Sequence, residues 1–420
     1  MASPKTTVIG SYPIFPSRME VDAYQQALER GAQDEDIVDP YLKTIELSVK
    51  DFLSAGIEIP ATGQTRDQFT RLFLTPDHVS NIERQNSEIL VKGPVKRKTA
   101  IRVTDVRYAK SYLPPYYMFK EPITDPYTIA RSCKLATSAY TDLKELTFDL
   151  ARKVLKPEAK DLQKEVDFIQ FDGPYYSIDP YRQYIQQVYE ELTRSLKKPV
   201  VLHVCGDTFG VFKELIKLKV NILSLDFTYN PKLLDEVARR NFDQSIGFGC
   251  VNSGAPIVES IEAIKSLLVQ GVRKIGEERI SLIHPGCGER NLPIEIAYQK
   301  NVNMVLARNE VLYGDAQAAQ ISPLRQDEYD PQGYFMVLLD HQTEQIFLSF
   351  NDYNHTPKVR LKSRSGEKLL HTILKMGLAS DSQSGRRHLS YLGYELGKAE
   401  TALRNNLPYR QDRPVVLPHI

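Results

Sequence analysis

Short runs of β-branched and apolar residues alternate with longer helical patterns through residues 6–310, and no other feature restricts the fold of this chain as tightly. Strands that alternate with helices pair in parallel, because each helix carries the chain back to the same end of the sheet. Eight runs stand out: TTVIG (6–10), GIEIP (56–60), PIT (122–124), FIQFD (168–172), VVLHV (200–204), ILSLD (222–226), QSIGFG (244–249) and ISLIH (280–284). Helical segments such as TDLKELTFDLARKVL, YRQYIQQVYEELTRSL, PKLLDEVARR and PIEIAYQKNVNMVLARN separate them. Eight parallel strands with intervening helices predict an α/β fold of the (β/α)8 TIM barrel type. An open doubly wound sheet is the alternative, and its dinucleotide-binding version is disfavoured because no GxGxxG follows the first strand.

The pattern changes after ISPLRQDEYDPQG (321–333), which is rich in turn formers and charge. Beyond it YFMVLLD and QIFLSFN predict two strands forming a hairpin across DHQTE, followed by helices at 365–378 and 386–405. The expected organisation is a barrel domain over 1–320 and a small α+β C-terminal domain over 330–420, in keeping with a 420-residue chain that exceeds one ordinary core. The ending PYRQDRPVVLPHI, with three prolines, reads as an extended tail. Lys+Arg 54 against Asp+Glu 53 gives overall charge no part in recruiting nucleic acid or an anionic membrane. No apolar run of about 18 residues occurs, and the start MASPKTTVIGSYP lacks the layout of a signal peptide. The expectation is a cytoplasmic protein with no membrane partner.

In such barrels chemistry gathers at the C-terminal ends of the strands. Ser11, Gln64, Asp125, Asp172, His203, Cys205, Asp226, Asn252 and Cys287 each fall at or just after a predicted strand end. Loops there are polar in any barrel, but polarity alone does not account for a histidine and two cysteines. In PVVLHVCGD, His203 and Cys205 are two residues apart, and strand residues i and i+2 point to the same face. Cys287, in LIHPGCGER, offers a third donor from the last strand. Imidazole and thiolates are the donors zinc accepts, and three protein ligands leave a position for a substrate. Asp226, at the end of the strand following His203, is the candidate fourth donor. Four cysteines in so long a chain do not make a disulfide scaffold. Cys250, in GFGCVNSG, could compete as a ligand and is ranked as supporting; Cys133, in the helix-like IARSCKLA, reads as an inert core thiol.

The stretches TTVIGSYP, GQTRDQF, FIQFDGP, HVCGD, LSLDF and IHPGCGERN with NVNMVLA resemble, in order and spacing, the catalytic barrel of the cobalamin-independent methionine synthases. The resemblance covers about residues 5–310 and looks closest to the short archaeal-type forms without a duplicated N-terminal barrel. It implies a zinc-dependent methyltransferase that moves a methyl group to the thiol of homocysteine to form methionine. By it His203, Cys205 and Cys287 match metal ligands, and Asp226 stands where the family usually has glutamate. Ser11 matches a serine that contacts homocysteine, and Asp172 an aspartate that holds its amino group; a carboxylate is also what an ammonium needs on chemical grounds. Gln64 stands where longer members carry a substrate-binding glutamate, and Gly254 lies near the place of an expected histidine. Loss of that histidine suits a donor needing no protonation, so a corrinoid protein is the expected methyl donor, with a methyl-pterin as the other choice. Transfer to another thiol such as coenzyme M, and a non-catalytic barrel that binds a corrinoid or pterin, are the alternatives. The segment with YLGYELGKAETAL and YRQD is similar to a small domain of unknown function attached to one-carbon enzymes. Its His341, His355, His371 and His388 lack ligand spacing and read as surface or packing residues.

Overall fold

The computed structural model describes residues 3–16, 18–29, 39–66, 74–85, 88–314, 333–351, 357–375, 383–409 and 415–417. Residues 321–332 of the expected linker, 67–69 of GQTRDQF, and His355 lie outside these. In chain order the strands are β1 (Lys5–Thr6), β2 (Ile82–Gln85), β3 (Glu88–Val91), β4 (Lys120–Thr124), β5 (Cys133–Leu135), β6 (Phe168–Asp172) and β7 (Val200–Val204). They continue with β8 (Ile222–Asp226), β9 (Ser245–Val251), β10 (Ile280–Pro285), β11 (Gly333–Asp340), β12 (Gln345–Asn351), β13 (Pro357–Ser363) and β14 (Val415–Leu417).

Seven strands form one parallel sheet in the order β1-β10-β9-β8-β7-β6-β4. The ring closes through residues 57–60. Ile59 N donates to Thr6 O at 3.0 Å on one side, and Lys120 N donates to Pro60 O at 3.1 Å on the other. The second expected strand therefore occupies its place between β1 and β4, but it is reduced to a Thr7–Ile59 bridge. Pro60 has no N–H to give, so the ladder cannot run on. The bounds of β6, β7 and β8 coincide with FIQFD, VVLHV and ILSLD. These runs are nearly continuous in apolar residues because a parallel sheet flanked by helices is buried on both faces.

Helix starts are set by local chemistry. Asp125 precedes Pro126–Arg131, with proline at the first helical position and its own carboxylate accepting from Thr128 N at 2.7 Å. Ser260 caps Ile261–Ile275, which Gly276 ends at φ 96°, a conformation only glycine adopts without strain. The stretch TDLKELTFDLARKVL is helical as expected, though its 150–155 turn is π-type between Leu143–Asp149 and Lys156–Leu162.

Two further elements differ from expectation. The helix before Cys133 stops at Arg131, and Cys133 opens β5, which with β2 and β3 makes a small three-stranded sheet. Its Sγ still donates to Ile129 O at 3.2 Å, as in a continuing helix. The proline-rich tail is not free: β14 pairs antiparallel with β11, giving that strand a second neighbour. The 333–351 hairpin forms as expected, with Asp340 opposite Gln345, and the C-terminal sheet runs β13-β12-β11-β14. Helices Gly366–Lys375 and Gln383–Arg404 cover it over a core that includes Phe335, Ile346, Leu348, Ile373 and Leu396, apart from the main barrel core. Among the described residues no helix is long and apolar enough to cross a membrane.

Candidate active site

β7 delivers His203, and Cys205 follows one residue past its end, so the two side chains share a face as the strand period requires. Cys287 comes from the turn after β10. The donor atoms of these three residues lie within 4.8 Å of one another, a group that could hold a metal ion. His203 is buried, and its Nδ1 meets Ser224 Oγ at 3.0 Å. Its Nε2 is buried with no hydrogen-bond partner among the described residues. An unpartnered ring nitrogen at such a site is what a missing ligand contact leaves behind. Burial holds the His203 imidazole well below its ordinary pKa, in the neutral form a metal requires. The two thiols share a hydrogen bond, which lowers the pKa of Cys205 and raises that of Cys287. The residues present therefore suit a soft divalent ion such as zinc.

Asp226 ends β8 but is not one of these three. Its Oδ1 accepts from Thr228 N at 2.9 Å and Thr228 Oγ1 at 2.6 Å, and burial raises its pKa. The carboxylate packs directly on the turn that carries Cys287. A Cβ on Gly286 would lie 2.5 Å from Asp226 Oδ1, so glycine at 286 is a condition of this approach. Cys250 is buried beside the site, also outside the group of three, and burial raises its thiol.

The other expected site residues gather at the same end of the barrel. A side chain on Gly288 would collide with Ser11 Oγ, which places the serine against the residue after Cys287. Ser11 O also accepts from Glu289 N at 2.8 Å. Asp172, the last residue of β6, is buried; its Oδ1 accepts from Gln170 Nε2 at 2.6 Å, and the Gln64 side chain bonds to it as well. Gln64 lies at φ 45°, left-handed backbone that is uncommon outside glycine and clusters at functional sites. Its Nε2 donates to Pro122 O at 3.3 Å, and its carbonyl accepts from Arg290 Nη1 at 3.3 Å.

Several neighbours have no counterpart among the residues singled out from sequence. Lys120, buried inside the barrel, donates to Val8 O and to Gln170 Oε1. Burial pushes Lys120 down and Asp172 up, and each charge counters the shift of the other. Ser253 Oγ donates to Cys287 O at 2.8 Å and accepts from Cys287 N at 3.2 Å, clamping the backbone that presents the thiol. Gly254, where a histidine was expected, donates its N–H to Asn252 Oδ1 at 2.8 Å. Gln170 and Ser224 each sit two residues before a singled-out carboxylate, so strand parity was the signal that could have found them.

The family model described as "Cobalamin-independent synthase, Catalytic domain" matches residues 4–310, and one described as PterinBD-DUF4346 matches residues 329–412. A methionine synthase of Methanocaldococcus jannaschii is 34% identical over 316 residues, covering 72% of this chain and 97% of that protein. A methionine synthase of Methanothermobacter thermautotrophicus is 32% identical over 314 residues, covering 72% and 98%. In fold, the chain resembles a B12-independent methionine synthase from a Shewanella species solved with selenomethionine, at TM-score 0.61, 21% identity and coverage of 74% and 98%. With the barrel, the ordered strand-end residues and these matches in hand, the chain belongs to the cobalamin-independent methionine synthase catalytic-domain family.

Proposed function

We propose that this chain transfers a methyl group to the sulfur of homocysteine, giving methionine, with zinc held by His203, Cys205 and Cys287 and with Asp226 as the fourth donor. The observation that carries the reading is the convergence of one imidazole and two thiols within 4.8 Å, with His203 Nε2 unpartnered. Zinc, when bound, lowers the pKa of a coordinated thiol and so supplies a nucleophilic sulfur at neutral pH. The chain's own residues then bind and orient. Asp172 takes the substrate ammonium, which offsets the desolvation that raises its pKa. Gln64, already bonded to Asp172, adds a polar contact without a second charge, and Ser11 steadies the amino acid beside the Cys287 turn. In the overall transfer an S–CH3 bond forms, the electron pair of the methyl–donor bond stays with the donor, and the thiol proton passes to solvent.

The preferred donor is a methylcorrinoid carried on a protein. Gly254 supplies no acid near the mouth, which suits a methyl group needing no protonation. Ile178, Phe209, Tyr229 and Ile257 are exposed on the loops after β6, β7, β8 and β9, a rim suited to a macromolecular donor. A methyl-pterin is the second reading, favoured by the match of residues 329–412 to a family whose description names pterin. We take residues 1–320 as the methyltransferase unit and 330–420 as a separate small unit, a division supported by their distinct cores. Single-turnover assays with homocysteine and methylcobalamin, methyl-folate or methyl-methanopterin test the reading. Methionine should form from at least one donor, fastest from methylcobalamin, and not in Cys287→Ala; no methionine from any donor would overturn it.

A further inference from the structure

Three side chains, His284, Ser224 and His203, are linked by hydrogen bonds whose direction is set from one end. His284 Nδ1 lies 2.7 Å from Pro285 O. A carbonyl can only accept, so this nitrogen carries the hydrogen. The His284 ring is fully buried and meets the Pro285 carbonyl, the Ser224 hydroxyl and the Gly247 backbone, with no carboxylate to balance a charge. It is therefore neutral, and its Nε2 can only accept. Ser224 Oγ, 2.8 Å from that nitrogen, must donate to it. The hydroxyl has one hydrogen, so toward His203 Nδ1, at 3.0 Å, it accepts. His203 then bears its proton on Nδ1 and keeps a lone pair on Nε2, the nitrogen without a partner.

The linkage also explains a glycine. His284 lies on β10 and Ser224 on β8, with β9 between them. Gly247 of β9 is the register partner of Ser224, and a Cβ there would come within 2.8 Å of His284 Nε2 and 3.0 Å of Ser224 Cα. The bond from Ser224 to His284 passes over the space that a side chain would fill.

We infer that Ser224 and His284 are positioning residues that hold His203 in its Nδ1–H tautomer, across Gly247, so that Nε2 is the basic nitrogen offered to the metal. This rests on the metal reading above and extends it to the groups behind the ligand, which commonly set a histidine's tautomer and orientation. Two measurements separate the claims. Side-chain 15N NMR of the metal-free, reduced parent protein decides the tautomer: His203 should be protonated on Nδ1 and bare on Nε2, and the opposite or mixed form would overturn the relay. Competition with a chromophoric zinc chelator then reads its consequence. Ser224→Ala, His284→Leu and Gly247→Ala should bind zinc about 10–100-fold more weakly than the parent, with Ser224→Thr restoring most of the loss. Parent-like affinity in Ser224→Ala would overturn the relay. Failure of the parent itself to take up zinc would instead sink the metal reading, while the tautomer result would still decide the relay, even if a variant failed to fold.

Discussion

At the residue scale, the four cysteines divide by environment. Burial pushes Cys133 up to about 12 and raises Cys250 as well, whereas the hydrogen bond from Cys287 lowers Cys205. Only the thiolate is nucleophilic, so reactivity should follow that division. Iodoacetamide at pH 8 should alkylate Cys205 of the metal-free protein and spare Cys133, Cys250 and Cys287, whose thiol the shared hydrogen bond and burial raise. Zinc should protect Cys205, as peptide mass spectrometry would show; modification of Cys133 at a similar rate would contradict the assignment. Gly286→Ala should likewise push the Asp226 carboxylate from its seat, costing about 1–3 kcal/mol of stability, measurable by urea denaturation together with a fall in zinc affinity. His203 and Cys205 stood out in the sequence because strand parity and residue type agreed, and Cys287 because a second cysteine follows the last strand. Gln170 and Ser224 obey the same parity but carry ordinary polar side chains, and nothing local distinguishes an orienting serine from a buried one.

At the scale of elements, the barrel wall opposite the thiols depends on a buried charge network. Arg102, fully buried, bonds to Glu121, to Asp105 at 2.8 Å and to Thr62, and Arg66 joins Asp105 to Asp39. Glu121 comes from β4, whose inward neighbour Lys120 contacts Gln170 beneath Asp172. Removing one partner leaves an uncompensated buried charge, so Glu121→Ala should cost about 3–5 kcal/mol in chemical denaturation. A change below about 1 kcal/mol would place that pair among weak surface pairs. Lys120→Met should act on function instead: with its cation gone, Asp172 holds its proton more readily, and homocysteine should bind at least tenfold more weakly by calorimetry. Strands β6, β7 and β8 were readable to the residue because full burial writes continuous apolar runs. The 56–60 run was read as a strand and lies in its place, but Pro60 cuts its ladder to a bridge; the small β2-β3-β5 sheet was not read, since strands of four residues or fewer carry little periodic signal.

At the scale of the whole molecule, the barrel and the C-terminal sheet have separate cores, with Met336 of β11 packed against the barrel side. Separate cores with little shared apolar contact should melt as separate units. Calorimetry should resolve two transitions, and Phe350→Ala should lower the C-terminal one alone by about 3–5 kcal/mol; a single cooperative transition would contradict the division. The hairpin and both C-terminal helices were evident from pattern, while pairing of β14 with β11 joins residues some 80 positions apart, and local sequence cannot encode such a contact. On the proposed function, this barrel presents a soft metal to the thiol of an amino acid. Zinc-edge X-ray absorption on the reconstituted protein tests it most directly. One zinc per chain should show two sulfur neighbours at about 2.3 Å, rising to three when homocysteine is added. Absence of stoichiometric zinc, or a sulfur count unchanged by homocysteine, would contradict the account.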